Sequence, residues 1–147
     1  MGSPNLINTL LILLLAAYGV QHFWPLGIGS SSGIKYIGVG VGMLGVGIVV
    51  LVSRSFKRAE TNIEPWKPTT KIISTGFYAY SRNPVYAGYC LVTIGMGVFL
   101  NNFWILISFI PSAVLVYYIA IRKEEAYLEK KFGAEYTHYK TKVRRWL

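Results

Sequence analysis

The stretch Val85–Ile121, VYAGYCLVTIGMGVFLNNFWILISFIPSAVLVYYIAI, contains no charged side chain. The pair Asn101-Asn102 divides it into two apolar segments, Val85 to Leu100 and Phe103 to Ile121, each near the length that crosses a hydrocarbon core. A tight turn at the asparagines makes a helical hairpin, so the residues flanking it return to the same membrane face. Ser81-Arg82-Asn83-Pro84 stands before the hairpin and Arg122-Lys123-Glu124-Glu125 after it. The hairpin therefore predicts that Arg82 and two glutamates, far apart in the chain, meet at one place.

Two more uncharged segments lie upstream, Leu6 to Phe23 and Tyr36 to Val52. The chain is 53% hydrophobic and 14% charged, a balance that suits an integral membrane protein rather than a soluble domain. Met1-Gly2-Ser3-Pro4-Asn5 has no basic side chain and no small-x-small cleavage site is obvious after the first segment, so that segment reads as a helix and not a cleaved signal. The expected fold is an all-α integral membrane protein with about four transmembrane helices and a cytoplasmic C-terminal helical extension. One membrane-embedded domain, 1–147, is expected: two N-terminal transmembrane helices over 1–52, a cytoplasmic loop over 53–84, the hairpin over 85–121 and a cytoplasmic helical tail over 122–147.

Charge sets the orientation. Of the 15 Lys+Arg residues only Lys35 lies on one side; the others fall in the loop after the second segment or in the tail, as do all 6 Asp+Glu. The positive-inside rule puts that side in the cytoplasm, with both termini, and an inner or plasma membrane of a prokaryote is the expected location. A net charge of +9 would suggest nucleic acid in a soluble protein. Here the cations flank helix ends, where anionic lipid headgroups are the fitting partner and nucleic acid is not. Nothing in the sequence sets an oligomeric state, and the lone Cys90 excludes an intramolecular disulfide.

In the second segment Gly38, Gly42 and Gly45 share a helical face and allow a close helix approach. The loop carries Pro65 and Pro68 with interleaved Ile63, Trp66, Ile72, Ile73, Phe77 and Tyr78, a pattern for an ordered segment on the membrane or over a pocket, or for an interfacial aromatic belt. The tail reads as helix to Phe132, a stop at Gly133, and helical spacing again through Tyr136, Tyr139 and Val143. Arg144-Arg145-Trp146 suits a headgroup at the interface, or a plain membrane anchor.

Pro84 fits the first turn of the third helix and puts Arg82 and Asn83 at its entrance, where free N–H groups and a guanidinium can receive a carboxylate or phosphate. Lipid phosphate is the alternative ligand. Glu125 shares a helical face with Ile121, Leu128 and Phe132, and neither glutamate has Lys or Arg at i+3 or i+4. A carboxylate on an apolar stripe requires a cationic partner: either a ligand, which the reading favours, or an arginine from another helix. An anion receptor facing two carboxylates suits a zwitterionic amino-acid moiety. Gly95-Met96-Gly97 would let a ring or chain approach the backbone, with helix packing as the other reading. No metal site is expected, because His22 and His138 lie at opposite membrane sides with no ligand spacing around them.

Taken together, Gly76-Phe77-Tyr78, Arg82-Asn83-Pro84-Val85-Tyr86-Ala87-Gly88, Glu124-Glu125, Phe132-Gly133-Ala134-Glu135-Tyr136 and Arg145-Trp146 resemble the pattern of the membrane methyltransferases related to isoprenylcysteine carboxyl methyltransferase and phospholipid N-methyltransferase. The resemblance covers about Thr61 to Leu147. It implies S-adenosyl-L-methionine as methyl donor and a membrane lipid or lipidated small molecule as acceptor, methylated at oxygen or nitrogen by direct transfer. The implied cofactor-binding residues are Tyr78, Arg82, Asn83, Pro84, Tyr86, Gly88, Gly95, Gly97, Glu124, Glu125 and Leu128, with Arg82 and Glu125 in the catalytic role. Those implied for the acceptor are Trp66, Tyr136, Tyr139, Arg144, Arg145 and Trp146. Glu125 or His138 would take the proton of an amine acceptor. Asn83 stands where the isoprenylcysteine branch usually carries His, so the acceptor does not carry over from that branch. A nicotinamide-dependent membrane reductase resembling the sterol reductases is a second enzyme reading. A four-helix transporter or lipid-binding protein is a third, although no segment carries the mid-membrane ionisable group a transporter would show.

Overall fold

A computed structural model describes residues 3–29, 31–58 and 70–146. Trp66, with the rest of the loop over 59–69, lies outside the described residues. The described residues form seven α-helices and two tighter or wider helical turns, with no sheet and one short extended strand in an isolated bridge: α1 Ser3–Phe23, α2 Ser32–Arg58, a 3₁₀ turn Gly76–Ala79, α3 Pro84–Phe99, α4 Phe103–Ile107, α5 Phe109–Val116, a π turn Tyr117–Ile121, α6 Arg122–Phe132 and α7 Ala134–Lys142. The helical path from Phe103 to Phe132 holds an apolar window long enough to cross a membrane, as do α1 and α2. α3, at 16 residues, spans about 24 Å and is the short member of the bundle.

α2 runs on past the apolar segment to Arg58, so the connection to α3 starts later than the composition suggests. Ser53 and Ser55 return their hydroxyls to the Val49 and Leu51 carbonyls, and Lys57 and Arg58 sit where the helix dipole favours cations. The helix can leave the apolar layer without losing its hydrogen bonds.

The α2–α3 contact is built on glycine. A Cβ placed on Gly95 would come within 2.7 Å of the Gly38 carbonyl and closer still to the Gly42 backbone, and one on Gly45 would lie 2.6 Å from the Gly88 carbonyl. Gly97 plays the same part against Leu106 of α4. Dispersion between backbones at this distance holds helices together where lipid supplies no hydrophobic drive. Gly40 and Gly47 have no neighbour within 4 Å, so only part of the glycine content of α2 belongs to the seam.

The hairpin turn is held by its two asparagines. Asn102 caps α4 by accepting from Ile105 N at 3.0 Å. Asn101 adopts φ 52°, and its Oδ1 accepts from Ile28 N and Gly29 N at 2.7 and 2.9 Å. Trp104 Nε1 donates to the Trp24 carbonyl at 2.7 Å, and Phe103 N donates to the Leu26 carbonyl. The α1–α2 connection is thereby pinned across this end of the bundle.

Two irregularities in the return path set the direction of α6. Pro111 has no N–H to give the Ile107 carbonyl, and the helix breaks at Ser108. The π turn then widens the helix by one residue. The buried face, which advances through Ile105, Ser108, Ser112 and Val116, continues as Ile121 and Glu125. Without that wide turn a regular helix would bring Lys123 and Tyr127 inward instead. The core cluster lies at this end: Leu6 of α1, Tyr86 of α3, then Val116, Ala120 and the fully buried Ile121.

Candidate functional site

Arg82 enters the bundle between a 3₁₀ turn and α3, and a second piece of chain fixes it there. After α7 the backbone extends at Val143, and residues 143–146 run beside Ser81 in a parallel bridge to Arg144. Arg82 N donates to the Arg144 carbonyl at 2.9 Å, and Asn83 Nδ2 donates to the Arg145 carbonyl at 3.0 Å. Ser81, 1% exposed, donates its hydroxyl to the Arg145 carbonyl and accepts from Asn83 N. Asn83 thus spends its side chain on the returning strand and gives α3 no side-chain cap.

That strand carries Arg145 to Glu125. Arg145 Nε and Nη2 donate to the two carboxylate oxygens at 3.0 and 2.9 Å, a bidentate fork, and the guanidinium lies 5.1 Å above the Tyr117 ring. The hydrogen bonds to Glu125 raise the guanidinium's pKa from its ordinary value, against the effect of burial. Arg82 Nη1 stands 2.9 Å from Glu125 Oε1. One carboxylate, 12% exposed, thus balances two arginines. The partner for Glu125 comes from within the protein, where sequence reasoning favoured a ligand.

Two tyrosines of α7 close this network from below. Tyr136 is 2% exposed, and burial, reinforced by Glu125, pushes its hydroxyl up to about 12. Tyr139 donates to the Tyr78 carbonyl at 2.7 Å and is raised chiefly by burial. Tyr78 is raised by burial first and by Glu124 second. All three stay protonated at neutral pH, and Tyr139 is the one that donates.

Above the network is a cavity of about 490 Å³, between α1 on one side and α2, the 3₁₀ turn and α3 on the other. Its polar wall is Tyr78, Arg82, Asn83, Tyr86 and Glu124, with Ser53 of α2; its apolar wall is Leu6, Leu10 and Leu14. Ile7 and Leu11 also line it and are more than half exposed, so the cavity opens sideways between helices. Two features mark the charged end. Arg82 is 10% exposed, yet its buried Nε has no hydrogen-bond acceptor, and its contact to Glu125 through Nη1 is an ion pair without hydrogen-bond geometry. Glu124 lines the same cavity with no hydrogen bond or ion pair among the described residues. Arg82 and the unpaired Glu124 carboxylate thus bring opposite charges to one cavity.

Of the residues singled out from sequence, Tyr78, Arg82, Asn83, Tyr86 and Glu124 meet at the cavity, and Glu125, Tyr136, Tyr139 and Arg145 form the layer that supports it. Pro84 is buried at the start of α3. Gly88 and Gly95 are in the seam with α2 and Gly97 is against α4, so all three have helix backbone or side chains where a ligand would approach. Leu128 is half-buried on α6 and is not among the cavity's lining residues. Arg144 contributes its carbonyl while its side chain is exposed; Trp146 lines a second, adjoining chamber. His138 is exposed on α7. Sequence reasoning missed Ser81 and Tyr117, together with the α1 leucines. The parallel bridge that makes Ser81 and Tyr117 matter joins pieces of chain whose pairing has no local signature.

Known proteins resemble this chain over parts of its length. Protein-S-isoprenylcysteine O-methyltransferase of Saccharomyces cerevisiae is 40% identical over 72 residues, 49% of this chain and 30% of the yeast protein. Protein-S-isoprenylcysteine O-methyltransferase B of Arabidopsis thaliana is 30% identical over 132 residues, 84% of this chain and 59% of the plant protein. An uncharacterized Haemophilus influenzae protein is 38% identical over 63 residues, its whole length and 43% of this chain. The chain thus spans less than two thirds of these two named relatives. The family model for phospholipid methyltransferase matches residues 34–135, which contain nearly all of α2, the hairpin and both Glu124 and Glu125. On that match the chain belongs to the phospholipid methyltransferase family.

Proposed function

We propose that the protein transfers a methyl group from S-adenosyl-L-methionine to a lipophilic acceptor at the cytoplasmic face of a membrane. The observation that carries the reading is that Arg82, whose buried Nε has no acceptor, and the unpaired Glu124 carboxylate line one cavity. The residues present fit the methionine part of the donor: Arg82 would hold its carboxylate and Glu124 its ammonium. The cavity volume falls among those of small-molecule sites, about 300–1,000 Å³. When bound, the donor supplies an electrophilic methyl on sulfonium sulfur. The concentration of cations on the side of the site supports its cytoplasmic placement.

The chain's own work is binding, orientation and exclusion of water. Glu125 is a positioning residue in this scheme, since its carboxylate holds Arg82 and Arg145 and so fixes the receptor. The α1 leucines keep the cavity dry and offer a lipophilic acceptor a side entry from the bilayer. Holding two reactants in line in such a cavity supplies much of the acceleration of a direct transfer. A carboxylate acceptor needs no base. An amine acceptor does, and neither sequence candidate is placed to serve, since Glu125 is taken by two arginines and His138 is exposed.

The expected result for Arg82→Ala is roughly a ten- to hundredfold loss of affinity for S-adenosylhomocysteine, the worth of a charge-assisted hydrogen bond. Calorimetric titration of the purified protein in detergent measures it, and unchanged affinity would sink the assignment. Retention of NADPH in place of S-adenosylhomocysteine would favour a reductase. Incubation with isotopically labelled donor and a lipid extract, followed by mass spectrometry, identifies the acceptor.

A further inference from the structure

Glu125 faces two guanidiniums, and the two are not bound alike. Arg145 takes both carboxylate oxygens through Nε and Nη2, at 3.0 and 2.9 Å. Arg82 reaches Oε1 through Nη1 at 2.9 Å, yet neither that nitrogen nor Nε, both buried, has a hydrogen-bond acceptor. A carboxylate accepts best through the lone pairs in its own plane, and a bidentate guanidinium uses those that face it. The fork from Arg145 therefore occupies positions that Arg82 would otherwise take.

Backbone contacts fix this division. Arg82 N donates to the Arg144 carbonyl, and the Ser81 and Asn83 side chains donate to the Arg145 carbonyl, so the stretch that carries Arg145 is held in register with the stretch that carries Arg82. The Tyr117 ring, 5.1 Å from the Arg145 guanidinium, holds it from another side. Charge follows geometry. Two arginines against one carboxylate leave one positive charge over, and Arg82, which lines the cavity, is the more buried of the two at 10% exposed against 37%. Without Arg145, Glu125 and Arg82 would close into a neutral forked pair, and an anion in the cavity would have to compete with Glu125 for the guanidinium.

We propose that Arg145 is a positioning residue that acts through Glu125: by taking up that carboxylate it leaves Arg82 the surplus charge and the free N–H groups with which to hold an anionic ligand. Family resemblance gives Arg145 to the acceptor; its contacts give it to the receptor for the donor's carboxylate. The identity of that ligand rests on the methyl-transfer reading, while the sharing of Glu125 is measurable without it.

The experiment uses the full chain in phosphatidylcholine nanodiscs, as wild type, Arg145→Met and Arg145→Lys. Each is titrated calorimetrically with S-adenosylhomocysteine and with its decarboxylated analogue. The Nε–H resonance of Arg82 is followed in protein carrying isotopically labelled arginine, and its disappearance in Arg82→Lys identifies it. Arg145→Met should bind S-adenosylhomocysteine about tenfold or more weakly, the worth of a charge-assisted hydrogen bond, with the decarboxylated analogue almost unaffected. The Arg82 resonance should move as Nε gains Glu125 as an acceptor. Arg145→Lys keeps the charge without the fork and should fall between the two. Where the wild type prefers the carboxylate-bearing ligand, a loss shared by both ligands or seen for neither overturns the proposal. An Arg82 resonance that stays at its wild-type position in Arg145→Met overturns it as well. If the resonance moves while the wild type binds both ligands equally, the donor's carboxylate is not at Arg82: the methyl-donor reading fails and the sharing of Glu125 stands.

Discussion

Glu125→Ala is expected to be the most damaging single change at the site, lowering stability by about 3–5 kcal/mol, the usual cost of stripping a buried ion pair of one partner. The substitution leaves Arg82, 10% exposed, with no carboxylate beside it, and at the same time releases the fork that ties the strand at Arg144 and Arg145 to α6. Arg145→Ala should cost less. Arg82 would still neutralise Glu125, and the Arg145 side chain, 37% exposed, already has part of its charge in solvent. The double variant Glu125→Ala/Arg145→Ala should fall well short of the sum of the two, since both remove the same fork. Unfolding by titration with a denaturing detergent, followed by circular dichroism, reads all three. A Glu125→Ala protein within about 0.5 kcal/mol of wild type, the level of a neutral surface change, contradicts the arrangement.

Gly95→Ala is the second large effect. One methyl group there must sit against the Gly42 and Gly38 backbones of α2, atoms that cannot rotate away as a side chain could. Overpacking of this kind costs about 1–3 kcal/mol, and the upper end is expected because α2 and α3 must part along the whole seam. Gly40→Ala and Gly47→Ala are the controls. Neither position has a neighbour within 4 Å, so the gain in helix propensity, up to about 1 kcal/mol, should leave them neutral or slightly stabilised. Equal behaviour at all three positions would mean that the seam is not where these contacts place it. The same contacts give Gly95 and Gly97 a packing role sufficient to explain their presence without a ligand.

What the sequence makes legible is what depends on runs and on local chemistry. Uncharged segments with asparagines between them yield the hairpin, and the hairpin brings Arg82 to the glutamates. The glycine face of α2 is visible as spacing: Gly38, Gly42 and Gly45 share the face that meets α3, and Gly40 and Gly47 fall off it. The helical tail broken at Gly133 is readable because φ there is 52°, a conformation glycine takes at little cost. What stays hidden depends on contacts distant in sequence. Glu125 finds its partner twenty positions on, through a strand whose pairing with Ser81 rests on backbone hydrogen bonds that any residues could make. The division of labour between adjacent glutamates is hidden for a related reason: the π turn decides which one faces the arginines and which one the cavity. α2 extends beyond its apolar run because polarity marks where an apolar layer ends, and a helix with its own hydrogen bonds need not stop there.

The most direct measurement of the central claim is a titration of four combinations: wild type and Glu124→Gln, each with S-adenosylhomocysteine and with its analogue lacking the α-amino group. If the Glu124 carboxylate holds the ammonium, the wild type should bind the deaminated analogue about tenfold or more weakly, and Glu124→Gln should bind the two ligands nearly alike. The same loss on both proteins would place the ammonium elsewhere and contradict the account.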